Sequence, residues 1–344
     1  MERVEDVVIV GGGPAGAYCA LELAKKGIYA SVFDHSHPRE KPCGGGISEA
    51  VVQKFPFVNE FRAQGRSTPE FKMILFNGKE FLAQKSQTTF NISRKHFDQG
   101  ILQMASDEGA KWVREKVLQL RKKNDFWLLR TEKQLILTKM LVGADGVNSL
   151  VRRHILGPIS KENLALTVGC FAKRTAAEYS IIKFMGEIPG YMWFFPRKDD
   201  CSIGIGSELK HGKKLMKYLK TFIENDCPKV EITSRFAALL PSAKFSKFFN
   251  SPCSGKNWIL VGDAAGHVDP VTGGGIRFAL WSGQLGADAI SRNDSLSYDS
   301  KWREEYGSYL RERREKKMDF YDPYKLVISF IGGVANKTYL DWFN

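Results

Sequence analysis

The residues of this 344-residue chain that could do chemistry gather at glycine-rich turns. Gly11-Gly12-Gly13-Pro14-Ala15-Gly16 follows a strand-like run, 6–10, that is apolar from Val7 onward, and precedes an apolar-periodic segment, 17–26, that stops at Gly27. A strand, a glycine turn and a helix in that order suit the pyrophosphate of a dinucleotide, with a tight turn that holds no ligand as the alternative. Gly11 permits the tight turn, Gly13 lets backbone approach the phosphates, Gly16 lets helix pack on strand, and the helix N-terminus offers unpaired N–H groups. A second apolar run, 29–33, ends in Asp34, eighteen residues after Gly16, where such a unit places the carboxylate that bonds a ribose. Lys41-Pro42-Cys43-Gly44-Gly45-Gly46 sets one thiol among small residues. Farther on, Ala144-Asp145-Gly146 is a sharp turn after a strand, and Gly262-Asp263 and Gly273-Gly274-Gly275 lead into a helix from Ile276.

Elements must hold these turns in place. Residues 71–76 and 79–83 alternate like a hairpin closed by a two-residue Asn77-Gly78 turn, which signals antiparallel sheet. Residues 94–108 have helical periodicity and stop at Gly109, and strands are expected at 111–120, 125–130 and 134–142. Short strands at 181–185, 191–195 and 201–206, a Lys-rich helix and a strand near 230–235 form a sheet-based insertion, after which a strand at 258–261 and a helix at 276–290 resume the first pattern. Residues 298–344 read as amphipathic helix. The expectation is an α/β fold: a Rossmann-like nucleotide-binding domain from residues 1–55, 91–160 and 251–292, an inserted antiparallel-sheet substrate domain from 56–90 and 161–250, and a C-terminal helical segment, 293–344.

Composition narrows the class. With 43% hydrophobic and 26% charged residues the chain is globular, and its longest apolar runs, such as 326–331, fall short of the ~20 residues that cross a bilayer. The N-terminus runs from Met1-Glu2-Arg3 straight into a strand, so a cytoplasmic protein is expected. Six scattered cysteines with no CxxC pair suggest neither zinc nor a disulfide framework, and no metal site is expected. Net charge is +13, which favours an anionic partner, although no nucleic-acid module is recognisable. The run Lys210, Lys213, Lys214, Lys217 and Lys220 fits a solvated helix face, with peripheral membrane or phosphate contact as the alternative.

Together, the 11–16 turn with Asp34, Ala144-Asp145-Gly146, and Gly262-Asp263 with 273–275 resemble FAD-dependent oxidoreductases of the aromatic-hydroxylase fold class. The Cys43 turn and Gly190-Tyr191-Met192-Trp193-Phe194-Phe195-Pro196 narrow the resemblance to the geranylgeranyl reductase family, over roughly residues 5–290. It implies FAD bound by Gly11, Gly13, Ala15 and Gly16 at the pyrophosphate and by Asp34 at the adenosine ribose. Arg94 resembles the family arginine that meets the cofactor, and Val117 occupies the strand position whose backbone touches adenine. Asp263 would bond the ribityl or pyrophosphate region, and Gly275 and Ile276 would face the flavin pyrimidine ring. Cys43, Gly44 and Gly46 would lie near the isoalloxazine, with Asp145-Gly146 a supporting turn.

The implied reaction is reduction of isolated C=C bonds in an isoprenoid lipid, with reduced flavin as hydride source. Tyr191, Trp193 and Phe195 alternate along one strand, so they share a face that either lines the substrate tunnel or packs the sheet core. Cys43 is the candidate catalytic group, as proton donor, with a packing role as the alternative; His267 is a weaker candidate. NAD(P)H, ferredoxin or another flavoprotein could supply electrons. The rival readings are a flavin monooxygenase or halogenase, and a flavin-free prenyl carrier.

Overall fold

The computed structural model describes residues 3–325. The sequence expectations for 326–344, including the apolar run and the end of the helical segment, lie outside the described residues.

Among the described residues, two eight-stranded sheets form the scaffold. The first has a parallel core in the spatial order Lys111–Val113, Ser31–Phe33, Arg3–Val10, Leu135–Gly143, Trp258–Leu260. Both faces of its central strands are covered, so Val8, Ile9, Val32 and Val142 have no exposed surface. Helix Pro14–Ala24 packs on helix Ile276–Ser291 so closely that a Cβ on Gly283 would lie 2.5 Å from the Ala15 carbonyl oxygen. That contact joins residues 14–24 to residues 276–291, which are far apart in the chain.

The second sheet is antiparallel except where Tyr179–Phe184 runs parallel to Arg66–Ile74. Strand Gly190–Pro196 lies within it, and its alternation sorts side chains. Met192 and Phe194 point to a core shared with Leu215, Leu219 and Phe222 of helix Gly212–Asn225, while Tyr191 and Phe195 pack toward the cluster of Phe71, Ile182 and Tyr321. Burying each of those three helix residues stabilises by about 1.5–3 kcal/mol, which leaves the lysines of the helix to solvent. Several lysines carry ion pairs: Lys210 with Glu208 at 2.7 Å and Lys220 with Glu224 at 3.8 Å.

Two local expectations are corrected. The hairpin loop holds three residues, Phe76, Asn77 and Gly78, because the Leu75 N–H already donates to the Lys79 carbonyl (2.9 Å) and Gly78 takes φ +82°, a turn followed by a left-handed glycine. Val117 is not on a strand: residues 114–118 bridge Lys111–Val113 and Gln119–Lys123 as extended irregular chain. The ten-residue strand Leu164–Lys173, flanked in the sheet by Asp200–Glu208 and Ile232–Pro241, has no counterpart among the strands named from sequence.

Candidate functional site

Register builds the site. Val10 is paired with Phe33 on one side and Gly143 on the other, and Gly143 is paired with Leu260. The turns that follow, at Gly11, Asp34, Ala144-Asp145 and Gly262-Asp263, therefore emerge at one carboxyl edge of the parallel sheet, the crevice where open α/β sheets bind ligands. A cavity of about 1270 Å³ starts there and extends along the second sheet. Gly11, Gly13, Ala15, Asp34, Cys43, Gly44, Gly46, Arg94, Val117, Asp263, Gly275, Ile276, Tyr191, Trp193 and Phe195 all line it.

Gly16 is the exception. A Cβ there would sit 2.0 Å from the Gly11 carbonyl oxygen, so this glycine serves the packing of helix on strand. Gly13, by contrast, has nothing among the described residues within 4 Å of its Cβ position, leaving room for a ligand to approach the backbone.

Asp34 is 9% exposed, and its carboxylate is already organised. Oδ2 accepts from the Gly12 N–H (2.7 Å), and Oδ1 accepts from the Ser36 N–H (2.8 Å) and Ser36 hydroxyl (2.5 Å). Burial alone would raise its pKa; the His37 ring at 3.4 Å and the bonds from Ser36 and Gly12 outweigh burial and hold the carboxyl well below its usual range. The group is therefore an ionised acceptor.

Helices Pro14–Ala24 and Ile276–Ser291 both begin at glycines, Gly13 and Gly275, with no side-chain cap and no acid among the helical residues of the first turn. Both glycines line the cavity, so the first-turn N–H groups are left for a ligand. An elongated cavity with uncapped helix N-termini, an open glycine and an ionised carboxylate fits a dinucleotide carrying a pyrophosphate and a ribose. Lys41 Nζ lies 3.2 Å from Asp263 Oδ2 at the same edge.

The Cys43 turn lies against the second sheet. A Cβ on Gly45 would fall 2.1 Å from the Ile92 carbonyl oxygen, and its φ is +77°. The Cys43 carbonyl accepts from the Ser202 hydroxyl (3.0 Å), which accepts in turn from Trp193 Nε1 (3.1 Å). The Arg94 guanidinium is buried and clasps Asp98 at 2.6 and 2.8 Å. Burial works against its charge, but Asp98 and the adjacent Cys43 sulfur hold its pKa above the ordinary arginine value. Tyr191 donates from its hydroxyl to the Thr272 carbonyl (2.6 Å).

His267 does not line the cavity. It is fully buried between Cys253 Sγ (3.6 Å), the Tyr306 hydroxyl (2.9 Å) and the Trp302 ring, and burial, with Arg152 and Arg303 nearby, pulls its pKa down to about 3. Its contacts are those of a packing residue. Cavity-lining residues that sequence reasoning missed include Asn91, Lys317 and Tyr321. Tyr321 and Lys317 come from the C-terminal helices, anchored by a buried Arg313–Asp269 pair at 2.6 Å; their aromatic and basic pattern was visible, their destination was not.

Residues 5–177 match the family described as FAD binding domain. The chain belongs to this FAD-binding family. An uncharacterized protein of Methanosarcina barkeri is 31% identical, over 83% of this chain and 74% of that protein. A digeranylgeranylglycerophospholipid reductase of Methanocaldococcus jannaschii is 29% identical over 90% of this chain and 85% of its own length. Among solved structures, a geranylgeranyl bacteriochlorophyll reductase-like protein from Thermoplasma acidophilum superposes with a TM-score of 0.81 at 23% identity, over 94% of this chain and 90% of that one, which shows the fold. This FAD-binding protein is an FAD-dependent oxidoreductase similar to the geranylgeranyl reductases. No described helix is long and apolar enough to cross a membrane.

Proposed function

We propose that this oxidoreductase saturates isolated C=C bonds of a geranylgeranyl-type isoprenoid chain carried on a lipid or diphosphate. The observation that carries the reading is the continuity of one cavity from the glycine turns, past Cys43, to an apolar wall that includes Phe71, Ile182, Trp193, Phe195, Leu240 and Val271. Similarity to digeranylgeranylglycerophospholipid reductases supports it.

Isolated alkenes have no carbonyl that an acid could polarise; FAD, once reduced by the electron donor, would supply the hydride and return to its oxidised form, and the protein supplies position and dryness. In this reading Gly11, Gly13 and Ala15 hold the pyrophosphate, Asp34 the ribose, the Val117 backbone the adenine, and Asp263 the ribityl region. Arg94 braces the cofactor side of the cavity, and the N–H groups at Gly275 and Ile276 face the pyrimidine ring. Tyr191, Trp193 and Phe195 hold the isoprenoid chain. Cys43 Sγ supplies the proton for the second alkene carbon. The electron donor in this reading is NAD(P)H, ferredoxin or another flavoprotein.

The test is anaerobic turnover of geranylgeranyl lipids with a chemical reductant, followed by product mass. A gain of two hydrogens per double bond is expected. Product that forms only when oxygen is admitted, and that contains oxygen or halogen, would overturn the reading.

A further inference from the structure

Arg197 lies outside the main cavity, yet it holds part of that cavity's wall. Its guanidinium, 1% exposed, donates from Nη2 to the Cys43 carbonyl (2.7 Å), from Nε to the Gly44 carbonyl (3.3 Å), and from Nη1 to Glu40 Oε1 (2.9 Å). Glu40 in turn accepts from the Arg94 N–H (3.1 Å), the Lys95 N–H (3.4 Å) and the Ser93 hydroxyl. One buried planar fork thus ties the thiol turn to the N-terminus of the helix that carries Arg94. The turn is rich in glycine and cannot set its own conformation, and two of its carbonyls are satisfied by this one side chain.

We propose that Arg197 is a positioning residue for the reaction, fixing the Cys43-Gly44 peptide and, through Glu40, its distance from Arg94. Lysine cannot replace it: an ammonium carries the charge but lacks the fixed three-way geometry needed to reach two carbonyls and a carboxylate together. Serine 202 holds the Cys43 carbonyl from a second direction, so loss of Arg197 loosens the turn and does not release it. A separate cavity of about 290 Å³ is lined by Arg197, Glu40 and Asp200, giving a small cation a place to enter when the side chain is shortened.

The kinetic part of the test rests on the reductase reading; the exchange part does not. In the FAD-loaded protein, Arg197→Lys is expected to keep flavin content and raise amide hydrogen exchange in residues 43–46 about tenfold, with little change elsewhere. With a prenyl substrate, kcat should fall about tenfold to a hundredfold while KM stays within about threefold. Arg197→Ala should be partly rescued in both readouts by added guanidinium and not by ammonium. Exchange at 43–46 that stays at the wild-type rate in Arg197→Lys would overturn the proposal. If that variant fails to fold, Glu40→Gln carries the test: local exchange should rise there too, and an unchanged rate would again overturn it. Wild-type protein that reduces no prenyl lipid would count against the reductase reading alone; where it does reduce one, raised exchange with an unchanged kcat in Arg197→Lys would overturn the positioning role.

Discussion

A Cβ placed on Gly44 would stand 2.7 Å from Cδ2 of Phe195, so the thiol turn and the aromatic strand meet where only hydrogen fits. Gly44→Ala must push the ring or the turn aside, at a cost of about 1–3 kcal/mol if the core stays packed. Turnover is expected to fall about tenfold or more. Shortening the ring with Phe195→Leu in the same protein should recover much of that loss, giving a coupling energy in a double-mutant cycle. Additive losses would show that the two residues do not act through contact.

Removing the Asp34 carboxylate deletes bonds to Gly12 and Ser36 along with the proposed ribose contact. Asp34→Ala should weaken FAD retention about tenfold to a hundredfold, read as flavin per protein after gel filtration. Since the folded-state pKa lies below the unfolded value, the carboxylate stabilises the fold above about pH 4 and that contribution fades as pH falls through the lowered pKa. Wild type and Asp34→Asn should therefore converge in Tm as the solution is acidified. Unchanged flavin occupancy in Asp34→Ala would reject the ribose assignment.

Lys317 lines the cavity; its Nζ donates to Ser242 Oγ (2.9 Å) and lies 3.9 Å from Glu208 Oε1, an ion-pair distance. Burial pulls its pKa down to about 8, with Glu208 opposing the shift. A buried lysine with a lowered pKa is charged at a cost below pH 8, and that cost disappears between about pH 8 and the unfolded value near 10.4. The wild type should gain relative stability across that window by about 3 kcal/mol. Lys317→Met should lack the gain; parallel Tm curves from pH 7 to 10 would contradict it.

At His267 the prediction separates packing from chemistry. His267→Gln should destabilise the fold by about 1–3 kcal/mol while leaving kcat within about twofold. Its pKa near 3 lies below the unfolded value, so its neutral form stabilises fully above about pH 6.5 and progressively less as pH falls toward 3. A large loss of kcat with unchanged Tm would return it to the mechanism.

The nucleotide-binding half was legible because its signals are local. Residues 6–34 specify strand, turn, helix and acid within one stretch of chain, and the strand register then carries the turns at Ala144 and Gly262 to the same edge. The aromatic alternation of Tyr191, Trp193 and Phe195 was readable as a shared face, but the choice between tunnel and core depended on Met192 and Phe194 turning to the Lys-rich helix. Arg197 carried no signal at all: its partners Glu40, Cys43 and Gly44 lie about 150 residues away, and a basic residue after a strand reads as surface. Val117 misled because apolar residues near a sheet edge resemble a strand until the pairing partners are known. His267 sits next to the Gly262 turn in sequence, yet the chain turns it inward to Tyr306.

The most direct test of the account begins with protein carrying FAD, reduced with dithionite under strict exclusion of oxygen and then mixed with a geranylgeranyl-bearing lipid while the visible spectrum is followed. The account predicts that the oxidised flavin bands return with the lipid and that its mass rises by two hydrogens per bond reduced. Flavin that stays reduced with every prenyl lipid, and reoxidises only when air is admitted, would contradict it.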